Sequence, residues 1–171
     1  MTMQFIHAET YGRAPNAQGQ SVRFVLAEAG RAEWACAHVR RPQPPRVLYG
    51  LSPADVEREH NRRVEDARLA TSTGPRRLRT NQHTLLTVVA SFPATGKSDR
   101  WPQAVWQWLE DTIAWLLAQF GDALLSVVLH TDEGYPHLHA FALPTDPQMK
   151  ARSLHPGARA KNEARQQGAA N

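Results

Sequence analysis

Three histidines, His130, His137 and His139, fall within ten residues of a chain that holds eight. They sit in LLSVVLHTDEGYPHLHAFALPT, residues 124–145. One histidine in a strand is ordinarily a hydrogen-bonded or half-exposed imidazole, but three at this density point to a shared task. The apolar runs Leu124–Leu129 and Leu138–Leu143 flank a polar turn, Thr131–Pro136, which is the pattern of a β-hairpin. His137 and His139 are two apart and so face the same way on a strand, and His130 meets them across the hairpin. Three neutral imidazole nitrogens with a carboxylate make a divalent-metal donor set that leaves positions for substrate oxygens. Glu133 is expected as the fourth ligand, with its neighbour Asp132 as the alternative. Such a centre serves hydrolysis or phosphoryl transfer.

Other histidine-rich patterns do not fit this string. A histidine-triad nucleotide hydrolase needs a third alternate histidine, where this chain has Phe141. A cupin needs a downstream glutamate, and none lies between His139 and Pro144. A zinc protease would carry His-Glu-x-x-His on a helix, which is absent. The run His130-x-Asp132-Glu133-x-x-Pro136-His137-x-His139, followed by an apolar strand ending at Pro144, resembles the third motif of plasmid mobilization relaxases of the Mob/Pre family. These belong to the HUH endonuclease superfamily.

The resemblance implies strand-specific nicking and joining of single-stranded DNA at a transfer origin, with Mn²⁺ or Mg²⁺ as cofactor and accessory transfer proteins as further partners. A side-chain nucleophile would attack phosphorus, free a 3′-hydroxyl and keep the 5′ end on the protein. Many relatives place a histidine in an N-terminal His-x-x-Arg motif, and here the equivalent stretch reads Glu28-Ala29-Gly30-Arg31. Glu28 would form an easily hydrolysed acyl phosphate. Tyr11 and His60, the latter in a literal His60-Asn61-Arg62-Arg63 match, are the other candidates, with Tyr11 placed first. Arg31, Arg76, Arg77 and Arg79 are expected to contact DNA, Arg79 near the scissile bond. A non-catalytic origin-binding protein and a small hydrolase using metal-bound water are the competing readings.

Positioning those residues requires a sheet. Met3–Thr10 reads as an opening strand that ends at Tyr11, and His83–Phe92 as a central strand rich in β-branched residues. Ser21 and Ser52 are N-cap residues for helices over 22–29 and from Pro53 to about Leu69. Arg40–Arg46, RRPQPPR, is extended by its prolines. Pro102–Phe120 places Val105, Trp108, Leu109, Thr112, Ile113, Leu116 and Phe120 on one helical face. Together these predict an α+β fold, a central antiparallel sheet with helices packed mainly on one face, as in HUH relaxases.

Length and charge set the frame. The 171 residues suffice for one catalytic domain over 1–145, followed by a basic, poorly packed segment over 146–171. Relatives continue further, so the chain reads as the catalytic module of a longer protein. Cys36 is the single cysteine, which excludes a disulfide framework and suits a reducing cytoplasm. No run approaches a membrane span, and no signal peptide opens the chain. Residues 81–150 carry three cationic and seven acidic side chains, a net −4, while the whole chain is +4. An acidic metal-holding half between arginine-rich flanks fits a polyanion partner.

Overall fold

The computed structural model describes residues 4–93 and 101–168. Five strands form one antiparallel sheet in the order β1-β5-β7-β6-β2. They are β1 (Phe5–Gly12), β2 (Arg46–Gly50), β5 (His83–Ser91), β6 (Leu124–His130) and β7 (His137–Ala142). The expected central strand is β5, flanked by β1 and β7. The start of the opening strand at Met3 lies outside the described residues.

Alternation along the strands divides the core in two. On one face Leu86, Val88, Ala90, Leu129, Leu138 and Ala140 pack against α3 (Gln103–Phe120) through Val105, Trp108, Leu109 and Leu116. On the other, Leu85, Val128 and Phe141 lie beneath α1 (Val22–Ala29) and α2 (Pro53–Asp66) through Val25, Leu26, Val56 and Val64. The expected placing of helices mainly on one face is thereby refined, since both faces are covered. The histidines share the second face, in register with Val128, Val89 and Ser91. A one-residue slip of β7 would turn His137 and His139 into the α3 core and lift Leu138 out of it. Each such buried aliphatic side chain contributes roughly 1.5–3 kcal/mol, so the packing that folds the sheet also aims the imidazoles.

Both expected N-caps form: Ser21 Oγ accepts from Phe24 N and Ser52 Oγ from Asp55 N, each at 3.2 Å. Helix α2 stops at Asp66 rather than near Leu69. There Arg68–Leu69 (β3) pairs with Arg76–Arg77 (β4) in a two-residue ladder. The proline-extended arm runs directly into β2, an edge strand whose exposed, irregular pattern hides it in the sequence. Gly50 ends β2 at φ +67, where an added Cβ would lie 2.1 Å from the Leu125 carbonyl oxygen.

The segment after Pro144 is better packed than its composition predicts. Met149 and Ala151 are buried. Gln82 Nε2 donates to the Gln148 carbonyl at 2.6 Å, and His155 Nε2 to the Ala8 carbonyl at 3.1 Å. Only α4 (Pro156–Gln166) matches the expectation of little to bury, having no buried residue. Among the described residues no helix is long and apolar enough to cross a membrane.

Candidate functional site

His130 and His137 stand directly opposite each other on β6 and β7, and His139 follows two residues along. One nitrogen from each ring lies within 4.8 Å of the others. Hydrogen bonds select which nitrogen is free. A carbonyl can only accept, so His130 donates Nε2–H to Ala29 O at 2.8 Å and His137 donates Nδ1–H to Tyr135 O at 3.0 Å. That leaves His130 Nδ1 and His137 Nε2 as lone pairs, each ring oriented as metal ligands usually are.

His130 Nδ1 is buried without a hydrogen-bond partner, a condition that only Arg13 Nε shares among the described residues. An unpaired buried polar atom costs about 1–3 kcal/mol, and a cation among the three rings would supply the missing partner. Burial, reinforced by the Arg31 guanidinium, pushes the His130 pKa down to about 4. Burial together with the other two rings and Arg31 lowers His139 well below its ordinary value. His130 and His139 are therefore held neutral, the state a metal requires.

The end of α1 braces this centre. Arg31 N bonds Glu28 O at 3.0 Å and Ala32 N bonds Ala27 O at 2.9 Å, the two contacts of a Schellman turn. The left-handed position of such a turn favours glycine, yet here it holds Arg31 at φ 60. Its side chain explains the choice. Arg31 Nε and Nη2 grip Asp132 at 2.9 and 2.6 Å, and Nη2 also reaches Glu133 at 2.7 Å. Gln43 N donates to Asp132 as well, at 2.9 Å. Burial opposes ionisation of Asp132, but these donors hold its pKa below the usual carboxylate range. Asp132 is thus committed to the brace, while Glu133 Oε1 lies 3.5 Å from His137 Nε2. Of the two carboxylates left open by the sequence, Glu133 is the one beside the free His137 nitrogen.

A cavity of about 320 Å³ opens over His137 and His139. Glu28, Arg31 and His38 also line it, as do Phe5 and Tyr135, both about half-exposed. Burial raises the Glu28 pKa, with His38 and Arg31 opposing. His38 Nε2 lies 3.7 Å from Glu28 Oε1. Sequence reasoning passed over His38, although His38-Val39-Arg40-Arg41 reads His-x-x-Arg as literally as the stretch at His60.

Two expected nucleophiles are elsewhere. Tyr11 is 7% exposed, donates to Glu9 at 2.9 Å, and pairs with Leu85, four residues along β5 from the Val89 that faces His139. That spacing amounts to roughly 13 Å along the sheet. Burial and the Glu9 carboxylate raise its hydroxyl pKa, the wrong direction for a nucleophile. His60 is fully buried on α2, bonded to Thr84 Oγ1 at 2.8 Å, and does not line the cavity. Arg31, expected on DNA, has its guanidinium bound to the two carboxylates. Arg76, Arg77 and Arg79 are exposed, but they precede β5 at His83. That end is roughly 20 Å from Val89 at ordinary strand rise, so Arg79 does not border the histidines.

The model of the plasmid recombination enzyme family, Mob_Pre, matches residues 54–168. A Mn-bound crystal structure of the MobM relaxase domain with 22 nucleotides of plasmid pMV158 oriT DNA is similar, with a TM-score of 0.58 at 12% identity. It covers 95% of this chain and 81% of that one. The same domain bound to 26 nucleotides of that DNA gives 0.53 at 12% identity, over 96% and 81%. At such identity the likeness establishes the fold. No curated protein matches.

Proposed function

The chain belongs to the plasmid recombination enzyme family, and on that premise we propose that it nicks and rejoins one strand of DNA at a transfer origin. The observation that carries this reading is the convergence of three imidazoles, two of them lining an open cavity and the third buried with an orphaned nitrogen. The similar relaxase domain is Mn-bound and holds oriT DNA, which supports both the cofactor and the substrate. A divalent ion, Mn²⁺ or Mg²⁺, held by His130, His137 and His139 with Glu133 beside them, would offset the charge that builds on a phosphodiester in transfer.

The protein's own groups do the rest. Arg31 fixes the turn that carries Glu133. Phe5 and Tyr135 offer ring faces at the border of the cavity, where unpaired bases of a single strand can stack. Arg76, Arg77 and Arg79 are exposed and contact flanking DNA away from the cut. Of the three expected nucleophiles Glu28 alone borders the cavity, and its acyl phosphate is a poor store for a cut strand. The compartment is the cytoplasm, where plasmid DNA is found.

The test incubates the protein with Mn²⁺, pooled single-stranded DNA and supercoiled plasmid carrying the origin, then runs a denaturing gel. A protein–DNA adduct that disappears with His137→Ala is the expected result. Cutting without an adduct would favour a metal-water nuclease, and metal and origin binding without cutting an origin-binding module.

A further inference from the structure

We propose that Trp34, framed by Arg23 and Phe24, is a stacking platform for one unpaired base of the bound strand, separate from the histidine cavity. This rests on the reading of the partner as single-stranded DNA and adds a contact that holds it.

Helix α1 presents two unlike sides. Val22, Val25, Leu26 and Ala29 are buried, which leaves Arg23 exposed and Phe24 half-buried on the outer side. After Arg31 the chain returns along the helix, and the short 3-10 turn Glu33–Ala35 brings Trp34 onto these two side chains. Phe24 meets the indole edge-on, with ring centroids 5.9 Å apart and planes at 68°. The Arg23 guanidinium lies 5.5 Å from the indole centroid, within cation–π range. Ala35 and Cys36, both buried, pin the segment.

Trp34 nevertheless stays 58% exposed. The other four tryptophans lie in or against the α3 core, so this indole alone forgoes the burial that usually holds such a ring. A ring fixed in place yet open to solvent is preorganised to receive a flat partner.

The surroundings define the chemistry of that partner. A cavity of about 340 Å³ beside the indole is lined by Gly19, Ser21, Arg23, Phe24 and Trp34, and Arg23 carries the only charge among them. Among the described residues no carboxylate pairs with Arg23, and Glu33 does not line the cavity. An aromatic face beside an unneutralised guanidinium suits a base and its phosphate. The apolar surface is two rings, far short of the roughly 800 Å² per partner that a specific protein interface covers. One strand can reach both places. Trp34 follows Arg31, which lines the histidine cavity, by three residues, so their Cα atoms are at most roughly 11 Å apart.

The test measures, by fluorescence anisotropy without metal, the affinity for a labelled oligothymidylate and for an abasic strand of the same length. Trp34→Ala should weaken oligothymidylate binding by about 5- to 150-fold and abasic-strand binding by less than about twofold, with the melting temperature unchanged. Trp34→Phe should keep most of the affinity, and Trp34→Leu, apolar without a π face, should lose it. Arg23→Ala should weaken both strands and lower the salt-dependence slope by roughly 0.7. Unchanged oligothymidylate binding in Trp34→Ala, equal loss on both strands, or full affinity in Trp34→Leu would overturn the platform. So would a wild type that does not bind oligothymidylate. Each of these leaves the nicking reading to the adduct assay, in which Trp34→Ala should raise the half-saturating DNA concentration and keep the limiting rate. A wild type that shows the stacking pattern yet never cuts the origin with Mn²⁺ would overturn the nicking reading and leave this inference standing.

Discussion

His130 donates its Nε2 hydrogen to the backbone carbonyl of Ala29 at 2.8 Å, across 101 residues of chain. Ala29 closes α1, so its carbonyl is among those a helix end leaves without a partner. One bond therefore satisfies the helix end, fixes the His130 tautomer and turns Nδ1 toward the other two rings.

Replacing His130 removes both functions at once. His130→Ala should destabilise the fold by about 2–4 kcal/mol, from the lost core volume and the abandoned carbonyl. It should also weaken Mn²⁺ binding by more than tenfold. His137→Ala, at the border of the cavity and 9% exposed, should lose the metal at a smaller cost in stability. Calorimetric titration with Mn²⁺ and urea melts of both variants check this, and equal destabilisation would refute it.

The Arg31–Asp132 pair should be worth more to the fold than its neighbour. Both side chains are almost fully buried, at 3% and 1% exposure, whereas Glu133 is 35% exposed. Arg31→Ala strands a buried carboxylate and should destabilise by about 3–5 kcal/mol. Glu133→Gln should cost about 1 kcal/mol or less while weakening the metal. Chemical denaturation of the two variants separates these outcomes. Arg31→Gly relieves the left-handed backbone yet should still destabilise, because the lost ion pair outweighs the roughly 1 kcal/mol of strain.

Acid should unfold the metal-free protein gradually. Unfolded histidine titrates near 6.5, but His130 is pushed down to about 4 by burial. Between those values the unfolded chain binds a proton that the folded chain refuses, so stability falls as pH drops below 6.5 and levels off below about 4. The slope is about 1.4 kcal/mol per pH unit for each such group, which gives about 3 kcal/mol from His130. His60 and His139 shift in the same direction. Urea titrations at pH 7, 5.5 and 4.5 with a chelator present measure it, and a flat profile would contradict the buried neutral rings.

Tyr11→Phe removes one hydrogen bond to Glu9 and nothing from the cavity. It should change adduct yield by less than about threefold and stability by about 1 kcal/mol. His60→Ala should instead destabilise by about 2–4 kcal/mol, with the rate per folded molecule retained. Nicking assays normalised to the folded fraction decide both, and loss of the adduct in Tyr11→Phe would return that residue to the site.

The histidine hairpin, the long helix and both serine caps were legible in the sequence because each is a local pattern: period two, period 3.6, or a cap and its nearby amide. What stayed hidden depends on contacts distant in sequence. Tyr11 ends a strand as expected, yet the register with Leu85 sets it well along the sheet from His139. His38 lies in a loop without periodicity, and only the tertiary approach of α1 brings Glu28 beside it. Arg31 read as a phosphate contact because nothing local reveals that Asp132 claims its guanidinium. Strand β2 escaped because an exposed edge of five residues lacks the apolar run that marks a buried strand.

The three imidazoles belong to one hairpin, His130 facing His137 directly, while Glu28 and His38 arrive from about a hundred residues upstream. Hairpins close on microsecond timescales, and distant pairings pay a larger loop entropy and come later. The histidine cluster can thus be set by a nascent hairpin before α1 docks and supplies the Ala29 carbonyl and the Arg31 brace. Assembly then has an order in time: the cluster that could hold an ion forms before the helix end that braces it.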